Sequence, residues 1–459
     1  MFTTFTKMPL NATAYSGQPF SLLDTPAHED LATIMEIDLV ENADRQVREQ
    51  WQDQQLLNLL KYAQANSTFW RHRLPHSLAT RRTLAKLPVQ SRNDVMKQVQ
   101  SEGSLLKAEH RGKDETYASS GSTGTPVKVH LGSFNSRFNA MRSHAQFFMA
   151  GWPLNETLTF IKPAGADLML HPHDKLRVKR QKAWTGNLSQ VFANGPHKFI
   201  EFAHDETALL EELQKDRVGY LSCPSSFMHL ILRKAGVEEL RRMGVSLWLH
   251  HSDDLDVSLA NDLRQAGIPT MSNYSCSEAG LIATECTAAP GHYHVAHSNV
   301  IVECDKSETV LVDGAELGRI LITHLHSYAT PLIRYDVGDF GRLDQVCPCG
   351  HDGPTLSHLH GRGKFFLRHP EGHLMPFYVF SARLLEVVTF SEFRVHQPDL
   401  ATIIVEIGGR EAISADEEER LKAFIIRASD PAFRVEVKVS PAIDWSRNPK
   451  RLAFTSAVA

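Results

Sequence analysis

The sequence contains little cysteine and no long apolar run, and each absence excludes a class of protein. Six cysteines in 459 residues are too few for a fold that depends on disulfide bonds for its stability. No apolar run approaches the roughly 20 residues of a transmembrane helix. The opening MFTTFTKMPL lacks the charged-then-apolar layout of a signal peptide. We therefore expect a cytoplasmic protein without a membrane partner.

An excess of charge of one sign is also missing. The 49 basic residues nearly balance the 53 acidic ones, so the net charge is −4. This balance argues against a nucleic-acid partner held by bulk charge. The length and the 42% hydrophobic content predict a globular chain of two to four domains. The 24 histidines are so numerous that a single one is weak evidence of a site.

The order of apolar patterns predicts the fold class. Short β-rich runs alternate with helical segments over 158–321, which favours an α/β fold with a largely parallel, doubly wound sheet. Apolar stripes predict helices over 42–65 and 134–150, and Ser91 is a candidate N-cap. Residues 1–40 show no clear period. In such a sheet, ligands bind at loops beyond the carboxyl ends of the strands.

A change of pattern follows His360-Gly361-Arg362-Gly363. Beyond it the patterns predict four segments: a helix over 377–388, strand over 393–407, a helix over 415–429 and a strand over 433–439. We therefore predict a large domain over 1–362 and a small α+β domain over 363–459, joined by a glycine-bearing hinge.

The stretch YASSGSTGTPVKVHL, residues 117–131, is the strongest candidate for a ligand-binding loop. Eight small or turn-forming residues separate two β-like runs. Glycine lets the backbone approach a ligand closely, and hydroxyls with exposed N–H groups donate to phosphate oxygens. It is not a Walker loop, because no Gly-Lys-Ser/Thr triplet opens a helix. The same composition also suits a flexible hairpin turn.

Four further stretches carry candidate chemistry. In NYSCSEAG, Glu278 follows a predicted strand on a strand-to-helix loop and suits Mg²⁺, although a carboxylate at a helix N-terminus is also commonplace. In PLIRYDVGD, Asp339 suits a ribose diol and Arg334 suits phosphate. The others are Gly361-Arg362 at the hinge and Lys450 in NPKR.

In this order and spacing, the five stretches resemble the motifs of the acyl-adenylate-forming superfamily. The chain looks closest to its phenylacetate–coenzyme A ligase-like branch, which includes the capsular-polysaccharide-biosynthesis type. The resemblance covers about residues 85–455. It implies a large AMP-binding domain and a small mobile domain carrying the catalytic lysine. The implied reaction uses ATP and Mg²⁺ to convert a carboxylic acid, aromatic or small, into acyl-AMP, which an acceptor then attacks.

The resemblance also implies residue roles. Glu278 would hold Mg²⁺ and Lys450 would bridge the carboxylate and the α-phosphate. Asp339 would bind the ribose, Arg362 the ribose or phosphate, and Ser252-Asp253 stands where the family lines the adenine. The implied nucleotide-binding set is Ser119, Ser120, Gly121, Ser122, Thr123, Gly124, Thr125, Lys128, Ser252, Asp253, Tyr274, Ser275, Ser277, Arg334, Asp339 and Arg362.

Two departures from the family leave the acceptor open. Gly363-Lys364-Phe365-Phe366 replaces the usual pair of aspartates, and the segment 368–372 replaces an Arg-Gly that flanks the pantetheine tunnel in coenzyme A ligases. Coenzyme A is the default acceptor, and an amine or a carrier-protein thiol is the alternative. A nucleotide-binding regulatory protein without catalysis is a further alternative.

Four residues form a candidate zinc site. Cys286 and His294 lie eight residues apart, and Cys347 and Cys349 form a Cys-x-Cys turn. Three thiolates and an imidazole suit a closed structural zinc, although Cys347 and Cys349 could also be two apolar core cysteines. The ligase-like branch carries a similar Cys…Gly-x-His-Val…Cys-x-Cys pattern, which favours zinc. His292 is the alternative to His294.

Overall fold

The structure is a computed structural model. It describes residues 25–75, 80–106, 115–118, 127–163, 176–202, 206–251, 255–312, 315–361, 366–372, 374–377, 384, 387–390, 392–444 and 454–458. The predicted helix over 377–388 lies mostly outside this part of the chain. Among the described residues, no helix is both long and apolar enough to cross a membrane.

The α-helices of the described part include those that the sequence predicts over 42–65, 134–150 and 415–429. They are α1 (Thr25–Glu41), α2 (Arg45–Asn66), α3 (Thr68–Arg73), α4 (Arg92–Glu102), α5 (Ser133–Ala150), α6 (Glu206–Gln214), α7 (Ser225–Arg242), α8 (Val257–Gln265) and α9 (Ala415–Ala428). Short 3₁₀ helices span Arg81–Lys86 and Gly186–Gln190. The N-cap predicted at Ser91 is confirmed, because its side chain accepts a hydrogen bond from the Asp94 N–H.

The strands of the described residues divide into four sheets. They are β1 (Glu115–Ala118), β2 (Lys128–Leu131), β3 (Leu158–Pro163), β4 (Leu176–Gln181), β5 (His197–Phe202), β6 (Gly219–Cys223), β7 (Val245–His250), β8 (Thr270–Cys276), β9 (Gly280–Glu285), β10 (His292–Val295), β11 (Val300–Val312), β12 (Ala315–His324), β13 (Tyr335–Asp344), β14 (Thr355–Gly361), β15 (Phe366–Arg368), β16 (Leu374–Pro376), β17 (Glu392–Gln397), β18 (Thr402–Gly408), β19 (Arg434–Ser440) and β20 (Phe454–Ser456).

A twelve-stranded sheet dominates, in the order β11-β12-β13-β14-β10-β9-β8-β7-β6-β3-β5-β4. Its strands β5, β3, β6, β7 and β8 are parallel, which confirms the α/β expectation where strands and helices alternate. The other neighbouring pairs are antiparallel. The expectation of a largely parallel sheet therefore fails beyond β8, because short turns rather than helices join those strands.

Helices cover both faces of the parallel strands. Alternate residues of β7 show this: Trp248 lies in the core beneath α6, α7 and α8, whereas Leu247 and Leu249 pack towards α1 and α5. Residues 25–40 show no clear period in the sequence, but the structure places them in the helix α1. Ile34 and Ile37 of α1 are fully buried in this second core.

The chain beyond residue 366 has a core of its own. A four-stranded sheet, β19-β18-β17-β20, carries α9 on one side. The buried side chains of this core, which include Leu367, Val405 and Phe454, come entirely from residues 367–454. The boundary predicted after residue 362 falls within 362–365, outside the described residues, and it stays a prediction.

Gly219 allows β6 to pass closely beside the start of β3. Its φ is +64°, and a Cβ there would lie 2.3 Å from the Thr157 carbonyl oxygen. We expect Gly219→Ala to cost about 3 kcal/mol, because overpacking adds to the left-handed backbone penalty. Gly151→Ala is the matched control, with φ +69°, ψ 24° and no atom within 4 Å, and should cost about 1 kcal/mol. Equal losses in melting temperature would contradict this account.

Candidate active site and metal centre

The ends of the candidate phosphate loop are held side by side. Strands β1 and β2 pair antiparallel, with Ala118 opposite Lys128. The apolar residues Val127, Val129 and Leu131 anchor the second strand in a buried core. Ala279 and Tyr335, from two other predicted motifs, belong to the same core. The Lys128 side chain is exposed. The loop residues Ser119, Ser120, Gly121, Ser122, Thr123, Gly124 and Thr125 lie outside the described part of the chain.

Two tyrosine–carboxylate hydrogen bonds join the motifs. The Tyr274 hydroxyl in β8 donates to Asp339 Oδ2 in β13 at 2.8 Å. The Tyr335 hydroxyl in β13 donates to Glu278 Oε1, in the turn after β8, at 3.0 Å. Each motif therefore supplies one tyrosine and one acid. The structure brings the predicted Mg²⁺ ligand and the predicted ribose ligand to one place.

The two phenols keep their protons. Burial, followed by the Asp339 carboxylate, holds the pKa of Tyr274 well above its ordinary value. Burial, followed by Glu278, raises the pKa of Tyr335 in the same way. Both hydroxyls are therefore donors near neutral pH. Burial also keeps the pKa of Cys276 well above that of a free thiol, so this cysteine is not a thiolate.

Glu278 lies in a turn between two strands, and the predicted strand-to-helix loop is wrong at this point. Strands β8 and β9 form an antiparallel hairpin, and Gly280 takes φ +71° to reverse the chain. The predicted ligands Ser275 and Ser277 are exposed on this hairpin, whereas Glu278 is 5% exposed. The hairpin thus offers hydroxyls to solvent and holds its carboxylate inside.

Arg334 is placed inside the protein. Its Nε lies 3.0 and 3.2 Å from the two Glu303 carboxylate oxygens, and its guanidinium also donates to the Leu87 carbonyl. Burial raises the pKa of Glu303, although Arg334 opposes the shift. Arg334 is 7% exposed and takes φ +50°. These contacts favour a role in fixing the start of β13 over the predicted phosphate contact.

Four other predicted site residues lie outside the described ranges. They are Ser252, Asp253, Arg362 and Lys450. The chain on either side of Ser252-Asp253 is described: it leaves β7 at its carboxyl end, beside β8. This is the edge where parallel sheets place their ligands. Gly361 pairs with Asp339 across β14 and β13, so the residue before Arg362 is a neighbour of the predicted ribose ligand.

The four predicted zinc ligands meet. One ligand atom from each of Cys286, His294, Cys347 and Cys349 lies within 4.8 Å of all the others. Cys349 Sγ is 3.4 Å from His294 Nε2, which selects His294 over His292. Tetrahedral zinc with Zn–S bonds of 2.3 Å separates two sulfurs by about 3.8 Å. The spacing and the donor set therefore fit a structural zinc ion.

The pKa shifts in this cluster differ from ligand to ligand. Burial lowers the pKa of His294 to about 4, so its imidazole is neutral and available near pH 7. Burial raises the pKa of Cys347 to about 12. The pKa of Cys349 is lowered: burial opposes this, but the His351 N–H and the neighbouring thiols outweigh it. The His351 ring stacks on His294 at 4.3 Å.

Sequence reasoning missed the residues that support the site. These residues lie outside the quoted motifs or beside them, and no local pattern indicates a role for them: Glu303, Gln90 and His351. Tyr335 stands inside PLIRYDVGD, where a tyrosine between predicted ligands was the available signal. Its partner could not be identified, because 57 residues separate it from Glu278.

No family model matches the chain, and no curated protein matches its sequence. A solved structure of 2-hydroxyisobutyryl-CoA ligase in the postadenylation state with 2-HIB-AMP matches with a TM-score of 0.63 and 14% identity, over 88% of each chain. The same ligase with 2-HIB-AMP and CoA in the thioesterification state gives 0.57 and 15%, over 92% of each chain.

A second kind of enzyme is also similar. An acyl acid amido synthetase in complex with 2,4-DB matches with a TM-score of 0.53 and 15% identity, over 91% of this chain and 90% of the other. At these identities the likeness establishes the fold alone. The chain therefore shares the fold of these two kinds of enzyme, and this confirms the predicted α/β fold class.

Replacing Arg334 tests its assignment. Arg334→Ala leaves Glu303 without its cation, so we expect a loss of about 2 kcal/mol in stability. The double variant Arg334→Ala/Glu303→Ala should lose less than the sum of the single variants. The affinity for ATP, measured by calorimetry, should stay unchanged. A lower ATP affinity at an unchanged melting temperature would instead restore Arg334 as a phosphate ligand.

Proposed function

We propose that this protein uses ATP to activate a carboxylic acid, aromatic or small, as acyl-AMP and then transfers the acyl group to a thiol, by default that of coenzyme A. The observation that carries the proposal is the paired hydrogen bonding of Tyr274 with Asp339 and of Tyr335 with Glu278. These bonds unite two motifs whose spacing resembles that of adenylate-forming enzymes. The fold of 2-hydroxyisobutyryl-CoA ligase, solved with 2-HIB-AMP and CoA, supports it.

The first step joins two anions. A carboxylate oxygen forms a bond to the α-phosphorus of ATP, and the bond from that phosphorus to pyrophosphate breaks. Preorganised donors must therefore face the charge that develops on the phosphate. Residues 120–125 and Lys450 would supply them. Asp339, oriented by Tyr274, would accept hydrogen bonds from the ribose hydroxyls. In the second step the thiolate attacks the acyl carbonyl and AMP leaves.

Glu278 would hold the Mg²⁺ that accompanies ATP. Glu278 as a whole residue is 5% exposed, and Tyr335 donates to one of its two carboxylate oxygens. Mg²⁺ commonly takes one or two protein carboxylates when phosphates supply further oxygens, so the residues present fit the ion. When bound, the ion neutralises phosphate charge. The chain's own contribution is a carboxylate held in one orientation.

Transfer to an amine is the second candidate for the last step. The acyl acid amido synthetase shares the fold, and the segment 363–372 departs from the pattern of coenzyme A ligases. A carrier-protein thiol would serve the same chemistry as coenzyme A. A nucleotide-binding regulatory role stays the further alternative, and Glu278 together with Lys450 argues against it.

ATP–pyrophosphate exchange against a panel of aryl, alkyl and amino acids tests adenylation. We expect one class of acid to support exchange, and Lys450→Ala to lower its rate by about 10²–10³-fold, because the variant loses a preorganised cation. Each acid that supports exchange is then incubated with ATP and, in turn, with coenzyme A, amines and a phosphopantetheinylated carrier protein to identify the acceptor. ATP binding without exchange for any acid would favour the regulatory alternative.

We also propose that Cys286, His294, Cys347 and Cys349 bind one structural zinc ion. The ligand atoms already converge, so the ion would be closed off from substrate and would do no chemistry. It would hold the end of β9 against the turn between β13 and β14. The opposite ends of β9 and β14 lie at the candidate active site.

Metal analysis tests the zinc site. We expect one zinc per chain, and its loss with a lower melting temperature in Cys349→Ser and Cys286→Ser, because a tetrahedral site needs all four ligands. Cys223→Ala is the matched control, since Cys223 is a buried cysteine of β6 outside the cluster, and should retain zinc. Wild-type protein purified without chelators and devoid of zinc would contradict the assignment.

A further inference from the structure

Among the described residues, Tyr335 contacts the candidate Mg²⁺ ligand, Glu278, through its side chain. Its hydroxyl lies 3.0 Å from Glu278 Oε1. Both side chains are buried, at 1% and 5% exposure. A carboxylate that binds a metal benefits from a fixed orientation, because a mobile side chain loses conformational entropy when it binds. The phenol can supply this orientation while leaving the second carboxylate oxygen for the ion.

Tyr335 is itself held rigidly by its neighbours. The Gln90 N–H donates to the Arg334 carbonyl at 3.0 Å, and the Asp336 N–H donates to the Gln90 carbonyl at 3.0 Å. Gln90 Oε1 also accepts from the Ile333 N–H at 3.1 Å. These bonds clamp the backbone on both sides of Tyr335. A hydrogen bond from a clamped donor restricts its acceptor more than one from a mobile side chain.

We propose that Tyr335 is a positioning residue that orients Glu278 for the divalent metal bound with ATP. This inference rests on the proposed function and adds a residue to which neither sequence reasoning nor the comparisons assign a role. Outer partners of metal ligands typically contribute 10–100-fold to metal affinity. Because the hydroxyl touches the carboxylate rather than the metal, its removal should weaken metal-dependent binding and leave the nucleotide contacts intact.

The test compares ATP affinity with and without metal. Calorimetry would measure ATP binding in excess Mg²⁺ and in EDTA for wild type, Tyr335→Phe and Glu278→Gln. We expect the gain from Mg²⁺ to fall about tenfold in Tyr335→Phe and to vanish in Glu278→Gln, with affinity in EDTA unchanged. Tyr220→Phe is the matched control: Tyr220 is 3% exposed and its hydroxyl donates to the Pro153 carbonyl at 2.9 Å. Its Mg²⁺ gain should equal that of wild type.

Each result has a separate meaning. An unchanged Mg²⁺ gain in Tyr335→Phe, or an equal loss of affinity in Mg²⁺ and EDTA, would overturn the positioning role. The Glu278→Gln variant provides a second test if Tyr335→Phe folds poorly. If Mg²⁺ still raises the ATP affinity of Glu278→Gln as much as that of wild type, Glu278 is not a metal ligand and Tyr335 cannot orient it for the metal. A wild type that binds no ATP in either medium would defeat the proposed function itself.

Discussion

The candidate site depends on two hydrogen bonds that close the antiparallel half of the main sheet. Strands β8 and β13 are separated by β9, β10 and β14 in the sheet order, about 19 Å along a flat sheet at 4.8 Å per strand. Yet Tyr274 and Asp339, and Glu278 and Tyr335, are in hydrogen-bond contact. The sheet must therefore curl back on itself. Its interior is the apolar core that also anchors β2.

The proposed zinc site, at Cys286, His294, Cys347 and Cys349, would stabilise this curl from the other end. Strand β9 begins beside the Glu278 turn and ends before Cys286, and β14 begins after the Cys347–Cys349 turn and ends at Gly361 beside Asp339. A zinc ion at the cluster would fix both strand ends about 20 Å from the nucleotide site, by the rise of six or seven residues. This arrangement would keep the structural metal away from the proposed reaction and leave the candidate active site free for ligands.

The sequence predicted those features that depend on local patterns. Alternating strands and helices identified the parallel strands, and capping chemistry placed Ser91. Spacing, together with the resemblance to the ligase-like branch, indicated four candidate zinc ligands that the fold brings together: Cys286, His294, Cys347 and Cys349. The antiparallel half was missed because its strands alternate imperfectly and are joined by turns. Long-range pairs such as Arg334 with Glu303 leave no local pattern, so the internal role of this arginine emerged only from the structure.

A crystal structure with an unreactive ATP analogue and Mg²⁺ tests the central claim most directly. We expect Mg²⁺ to contact Glu278 while Tyr335 still donates to its other oxygen. The ribose hydroxyls should contact Asp339 while Tyr274 keeps its hydrogen bond. A nucleotide bound away from both carboxylates, or bound with both tyrosine–carboxylate bonds broken, would contradict the account.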